Sequence, residues 1–239
     1  MQIVVAKNDK SFNEIAAKQI IDLVRAKPNA TLGLATGSTP LGMYENLVTD
    51  HILNGTSYKD VTTINLDEYL GLGEDDEQSY RFFMHQNLLD SLDIKPENIN
   101  IPNGLASSPE GECYRYSALL SLSKIDLQIL GIGNNGHIAF NEPGTPFDSK
   151  THIVDLTEDT IEANSRFFAR KEDVPTRAIT MGLSEIMKAE KIILLAKGKA
   201  KAKAIKELIE GPITEDNPSS ILKKHKNVLV ILDEEAAGK

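Results

Sequence analysis

The chain has 239 residues, a length that suits one large α/β domain or two small ones. Its hydrophobic share of 41% and charged share of 26% are ordinary for a soluble globular protein. No apolar run approaches the ~20 residues of a membrane span, and the single cysteine, Cys113, excludes an internal disulfide. The net charge of −9 gives no general attraction to nucleic acid or to anionic lipid, so the positive charge for any anionic ligand must be arranged locally. Together these features favour the cytoplasm.

The opening stretch, MQIVVAKNDKSF, is too short in apolar residues for a signal peptide and predicts a first strand over Gln2–Ala6. A helix follows from about Ser11 to Arg25, with Ile15, Ile20, Leu23 and Val24 able to share a face. Strands are predicted at Thr31–Ala35 and Val61–Leu66, and helices at Pro40–Val48, Gln78–Leu92 and Ser107–Ser123. Ile125–Leu130 and His152–Leu156 read as strands, and Thr157–Phe168 as a helix. Ala178–Met181 (strand), Leu183–Ala189 (helix), Lys191–Ala196 (strand), Lys199–Glu210 (helix) and the final strand Val228–Leu232 continue the rhythm. There is no repeat, low-complexity tract or flexible linker. Alternation of this kind predicts a single α/β domain over residues 1–239, with a mostly parallel sheet and helices on both faces. In such sheets ligands bind beyond the carboxyl ends of the strands, so the loops directly after strands are the places to look.

Three such loops carry chemistry. In LATGSTPLGMY, Gly37-Ser38-Thr39 links a strand to a helix begun by Pro40. Gly37 lets the backbone approach a ligand, and the helix N-terminus suits a phosphate. The same residues also make a tight turn with Ser38 or Thr39 as a cap. The run lacks the Lys of a Walker P-loop and is not GxGxxG. In INLDEYLGL, Asp67 and Glu68 follow a strand at once. Acids there are commonly solvated, but one flanked by Leu66 and Tyr69 can be partly desolvated, which raises its pKa and suits it to carry protons. In GIGNNGHIAFNEPG, His137 and Glu142 stand five apart on a Gly-broken loop. With no Cys or second His nearby, a metal site fits poorly. A His oriented by a carboxylate, available for acid–base work near neutral pH, fits better.

Two cations complete the set. Arg166 lies late in a helical stretch, where it also suits the helix dipole. Lys201 falls in the first turn of a helix, where a cation opposes the dipole unless an anion sits there; Lys199 and Lys203 compete for the role.

LATGSTP, NLDEY, GIGNNGHIAFNEPG and ANSRFF occur in this order in glucosamine-6-phosphate deaminases, and the chain resembles that family from its first strand to its last. The resemblance implies a Rossmann-like α/β fold. It also implies the conversion of glucosamine 6-phosphate and water to fructose 6-phosphate and ammonia, with no cofactor or metal. By resemblance Asp67 moves the proton from C2 to C1 of the open-chain sugar, and His137, supported by Glu142, shuttles the proton of ring opening. Asn135 joins this set where many members have Asp; Asn can orient a neighbour by hydrogen bonds but cannot hold a negative charge. The phosphate falls to Gly37, Ser38 and Thr39 with Arg166 and Lys201.

Two other readings compete. A 6-phosphogluconolactonase of related fold also carries a Gly-rich strand-end loop with a GH pair, but lactone hydrolysis needs no enolising acid placed as Asp67 is. A sugar-phosphate-sensing regulator would normally carry a DNA-binding module, for which the predicted sheet leaves no room. Some deaminases are hexamers activated by N-acetylglucosamine 6-phosphate through basic residues shortly after the NEP segment and a longer C-terminal tail. The matching positions here are His152 and Val154, and the chain stops at Lys239. The expectation is a monomer or small oligomer without this activation.

Overall fold

The computed structural model describes residues 1–165 and 168–239. Its frame is a seven-stranded sheet built from β1 (Gln2–Val5), β2 (Thr31–Leu34), β3 (Thr62–Asn65), β5 (Ile99–Asn100), β6 (Leu127–Leu130), β9 (Ile192–Ala196) and β10 (Val228–Leu232). The order across the sheet is β1-β10-β9-β6-β2-β3-β5, and every pairing is parallel. The central strands explain their own composition. All residues of β6, β9 and β10 are buried although successive side chains point to opposite faces, so both faces of the sheet are covered. The edges, β1 and β5, are more exposed.

The helices supply the cover. Helix α1 (Asp9–Ala26) begins at a capping box in which Asn8 accepts from Ser11 N at 2.9 Å, and it buries Phe12, Ala16, Ile20 and Val24 at helical spacing. Ile15 and Leu23 flank this stripe rather than lead it. Helices α2 (Leu41–Asn54), α3 (Tyr80–Asn87), α4 (Pro109–Leu122), α5 (Glu158–Ser165), α6 (Leu183–Ile186) and α7 (Ala202–Glu210) follow. Helix α4 starts at Ser108, whose Oγ accepts from Gly111 N at 3.0 Å, with Pro109 in the first turn.

One departure from the expected single sheet matters for the site. After β3 the chain leaves the large sheet at Leu66 and at once forms β4 (Asp67–Tyr69). Leu66 is the corner: its N–H still donates to Leu34 O at 3.2 Å, while its own carbonyl accepts from Met181 N at 2.7 Å. Strand β4 pairs antiparallel with β8 (Arg177–Thr180), which pairs antiparallel with β7 (His152–Asp155). The strands at 152–156 and 178–181 therefore belong to a second, three-stranded sheet. Its apolar side, with Tyr69, Phe140, Leu156 and Ala178, forms a small core of its own.

Strand order reverses between β2 and β6: from β2 the sheet grows outward through β3 and β5, and from β6 through β9, β10 and β1. The loops leaving β2 and β6 therefore diverge above their carboxyl ends, where α/β sheets open a crevice. Among the described residues, no helix is long and apolar enough to cross a membrane.

Candidate active site

A cleft of about 890 Å³ opens at that switch point. The end of β2 supplies Thr36–Thr39, the β3–β4 corner Leu66, Asp67 and Tyr69, the end of β6 Gly131–Asn135 with His137, and the end of β9 Lys197 and Lys201. Gly37, Ser38, Thr39, Asp67, Asn135, His137 and Lys201 thus line one cavity, although they are spread over more than 160 residues of sequence. Arg166 lies outside the described residues. Glu142 stands behind the wall, 7% exposed, and reaches the cleft through Asn135 and His137.

The loop after β2 turns at Gly37, whose φ of 99° is a conformation that L side chains rarely adopt. Neither Ser38 nor Thr39 caps the next helix. Pro40 holds the cap position with φ −82°, and no side chain bonds there, so helix α2 presents a backbone N-terminus beside the cleft. This corrects the side-chain cap expected from the sequence and keeps the anion-binding character of a helix start.

The loop after β6 is wound on itself. Gly133 N donates to His137 O at 2.9 Å, and His137 N donates to Asn135 Oδ1 at 3.2 Å. Asn141, fully buried, donates through Nδ2 to the carbonyls of Ile138 and Met181 at 3.0 and 2.9 Å, which fastens the loop to the chain just beyond β8. Ala139, between these anchors, has φ 52°; this left-handed conformation costs a non-glycine residue about 1–2 kcal/mol. Such strain persists only where the surroundings fix it, and here it lines the cleft beside His137.

Glu142 gathers the polar groups of this loop. Asn135 Nδ2 donates to its Oε2 at 2.8 Å, and Thr157 Oγ1 and Thr160 Oγ1 donate to Oε1. His137 Nδ1 lies 3.3 Å from Oε2, near enough for an ion pair but without the alignment of a good hydrogen bond. Burial pushes the Glu142 carboxyl up, yet His137, Thr160 and Asn135 outweigh it and hold the group at about 2. The carboxylate therefore stays charged and orients the imidazole. Asn135 steers the Glu142 carboxylate through its Nδ2.

Asp67 has the opposite environment. It is 7% exposed, and among the described residues its carboxyl receives no hydrogen bond. Burial, together with the charge of Glu68, pushes it up to about 8. Glu68 is also raised by burial, to about 7, while the N–H groups of Tyr80, Arg81 and Tyr69 pull it back at 2.9, 2.8 and 2.9 Å. Three donors to one carboxylate and none to the other leave the charge on Glu68 and the proton on Asp67.

The sequence reading missed Lys197. It is the first residue after β9, the very position in which that reading sought ligand-binding residues, and its ammonium reaches Asp9 at 2.7 Å over the ring of Phe12. Lys199 and Lys203 do not line the cleft, which separates them from Lys201. An aromatic wall of Tyr69, Tyr80, Phe140 and Phe168, with Tyr80 stacked on Phe140 at 5.9 Å, closes the side next to Asp67.

The family model for glucosamine-6-phosphate isomerases/6-phosphogluconolactonase matches residues 7–231. The chain is 52% identical over 240 residues to a glucosamine-6-phosphate deaminase of Halalkalibacterium halodurans, covering 100% of this chain and 98% of the relative. It is 52% identical over 237 residues to that of a Geobacillus species, covering 99% and 94%. A solved structure of a monomeric glucosamine-6-phosphate deaminase superposes with a TM-score of 0.98 at 46% identity, covering 100% and 99% of the two chains. The 6-phosphogluconolactonase of Trypanosoma cruzi superposes at 0.80 but with 22% identity over 100% and 96%, a likeness of fold alone. The chain belongs to the glucosamine-6-phosphate isomerase/6-phosphogluconolactonase family.

Proposed function

We propose that the chain is a glucosamine-6-phosphate deaminase that converts glucosamine 6-phosphate and water to fructose 6-phosphate and ammonia. Its full-length relatives at about half identity carry that name. The observation that carries the reading is Asp67, a carboxyl buried in the cleft and raised to about 8. A weakly acidic C–H needs a base whose pKa lies near the working pH, and lactone hydrolysis has no use for one there.

The phosphate sits against the backbone of Gly37–Thr39 with Lys201 and Arg166, and this remote anchoring orients C1 and C2. His137, steadied by Glu142 and Asn135, takes the proton of the C1 hydroxyl and returns it to the ring oxygen, opening the pyranose. Asp67 removes the C2 proton and delivers it to C1. The resulting 2-imine adds water and releases ammonia, leaving the ketone at C2. The cationic amino group beside C2 favours the charged form of Asp67, so substrate itself helps to ready the base. We further propose a cytoplasmic enzyme that works as a monomer, as the similar solved enzyme is described.

Coupled detection of fructose 6-phosphate, with ammonia measured on the same sample, tests the reading. Turnover of 6-phosphogluconolactone without ammonia release from glucosamine 6-phosphate would replace it with the lactonase.

A further inference from the structure

The mechanism uses Asp67 but leaves its neighbour idle, although Glu68 is the more deeply buried acid at 2% exposed. Alternation along β4 places Asp67 and Tyr69 on the cleft and Glu68 on the opposite side, where it lines a second cavity of about 560 Å³. There its Oε1 accepts from Tyr69 N and Tyr80 N, both at 2.9 Å, and its Oε2 from Arg81 N at 2.8 Å. Tyr80 and Arg81 are the first two residues of α3, so the carboxylate occupies a helix start together with Ser79 Oγ, which accepts from Phe82 N at 3.0 Å.

We propose that Glu68 is a positioning residue for proton transfer at Asp67: by clamping β4 to the first turn of α3 it fixes the Asp67 carboxyl against the wall of the cleft. The wall is built from the same clamp. The two backbone groups held by Oε1 belong to Tyr69 and Tyr80, whose rings meet at 4.7 Å beside Asp67. Gly104 leaves the room the clamp requires, since a Cβ there would lie 3.3 Å from Glu68 Cγ and 2.2 Å from Tyr69 O. A second consequence is electrostatic. The charge held on Glu68 opposes ionisation of Asp67. The other charged groups facing Glu68 are Arg81, which lies 3.9 Å from Glu74, and Arg115, which is forked onto Glu112 at 2.6 and 2.7 Å. Each of these cations has its own carboxylate, so none neutralises Glu68 outright.

This inference rests on the proposed deaminase, and its test therefore runs on wild type, Asp67→Asn, Glu68→Gln and Glu68→Asp together. Glu68→Gln is expected to lower kcat about tenfold or more, leave KM within about threefold, and move the acidic limb of the kcat/KM profile down by about half a pH unit or more. Glu68→Asp keeps the charge but falls one methylene short of α3, so it is expected to lose kcat while keeping the limb in place. A wild type without deaminase activity sinks the functional reading itself. With wild type active, Glu68 variants that differ from it only in melting temperature, with kcat and limb unmoved, overturn the positioning role. If Glu68→Gln does not fold, Glu68→Asp decides: wild-type kcat in that variant overturns the proposal.

Discussion

A Cβ placed on Gly133 would lie 2.4 Å from Nδ1 of His137, so the imidazole occupies the space that any side chain at 133 would need. The obstacle is a side-chain ring rather than backbone, and Gly133→Ala can be accommodated by pushing that ring aside. The variant is expected to fold, with its melting temperature near wild type, and to lose about 10- to 100-fold in kcat, as His137→Gln does. If ring opening is the step lost, the reverse reaction from open-chain fructose 6-phosphate and ammonia suffers less than the forward one. Wild-type turnover in Gly133→Ala would remove His137 from the mechanism.

Asp67→Asn is expected to abolish exchange of the C2 hydrogen with solvent, read by NMR, and to stabilise the fold. The folded-state value of about 8 lies above the ordinary 3.8. The folded state therefore holds a proton that the unfolded chain releases between these values. The associated stability is full below 3.8 and is lost as pH rises through about 8. Asparagine carries no such loss. The melting temperature of Asp67→Asn should exceed that of wild type by roughly 2–4 °C per kcal/mol recovered, with a larger gap at pH 8 than at pH 5. A gap that shrinks as pH rises contradicts the buried, protonated Asp67.

The loops that carry the site were legible because each follows a parallel strand, and one end of a parallel sheet collects all such loops. Gly37, Asp67 and His137 follow from that rule, and Lys201 from a cation placed against a helix dipole. The antiparallel sheet was not legible. The partner of a three- or four-residue strand is not written in its own periodicity, so DEY read as a loop and residues 152–156 and 178–181 as further strands of one mostly parallel sheet. The same ambiguity hid Glu68. Two adjacent acids at a strand end read as solvated or as one partly desolvated, and nothing in their order shows that β4 turns one to the cleft and the other to α3. Lys197 was legible in principle, since the strand-end rule points straight to it. Lys199, Lys201 and Lys203 on the next few residues compete with it in the sequence.

Lys201→Ala is expected to raise KM for glucosamine 6-phosphate about tenfold or more with a smaller change in kcat, because contacts to a phosphate remote from C1 and C2 persist from ground to transition state. Lys197→Ala should raise KM less, since its ammonium is already held by Asp9 at 2.7 Å. Competitive inhibition by inorganic phosphate should weaken in parallel with each. An unchanged KM and an unchanged inhibition constant in Lys201→Ala would mean that the phosphate lies elsewhere in the cleft.

The second sheet bears on regulation. His152 and Val154, which the family resemblance is expected to match to the activator-binding residues of allosteric deaminases, stand on β7. His152 Nδ1 is engaged with Lys150 O at 2.8 Å, and Val154 packs against the apolar cluster of Tyr69 and Phe140. An effector shifts an equilibrium only by contacts that differ between two states. A valine packed against an apolar cluster offers a phosphate neither charge nor donor, and the imidazole is already engaged with the Lys150 carbonyl. Initial rates are therefore expected to be hyperbolic in glucosamine 6-phosphate and unaltered by N-acetylglucosamine 6-phosphate, with the enzyme sedimenting as a monomer. Sigmoidal rates that turn hyperbolic on adding N-acetylglucosamine 6-phosphate, together with a hexamer in solution, would place an activator site on residues other than these two.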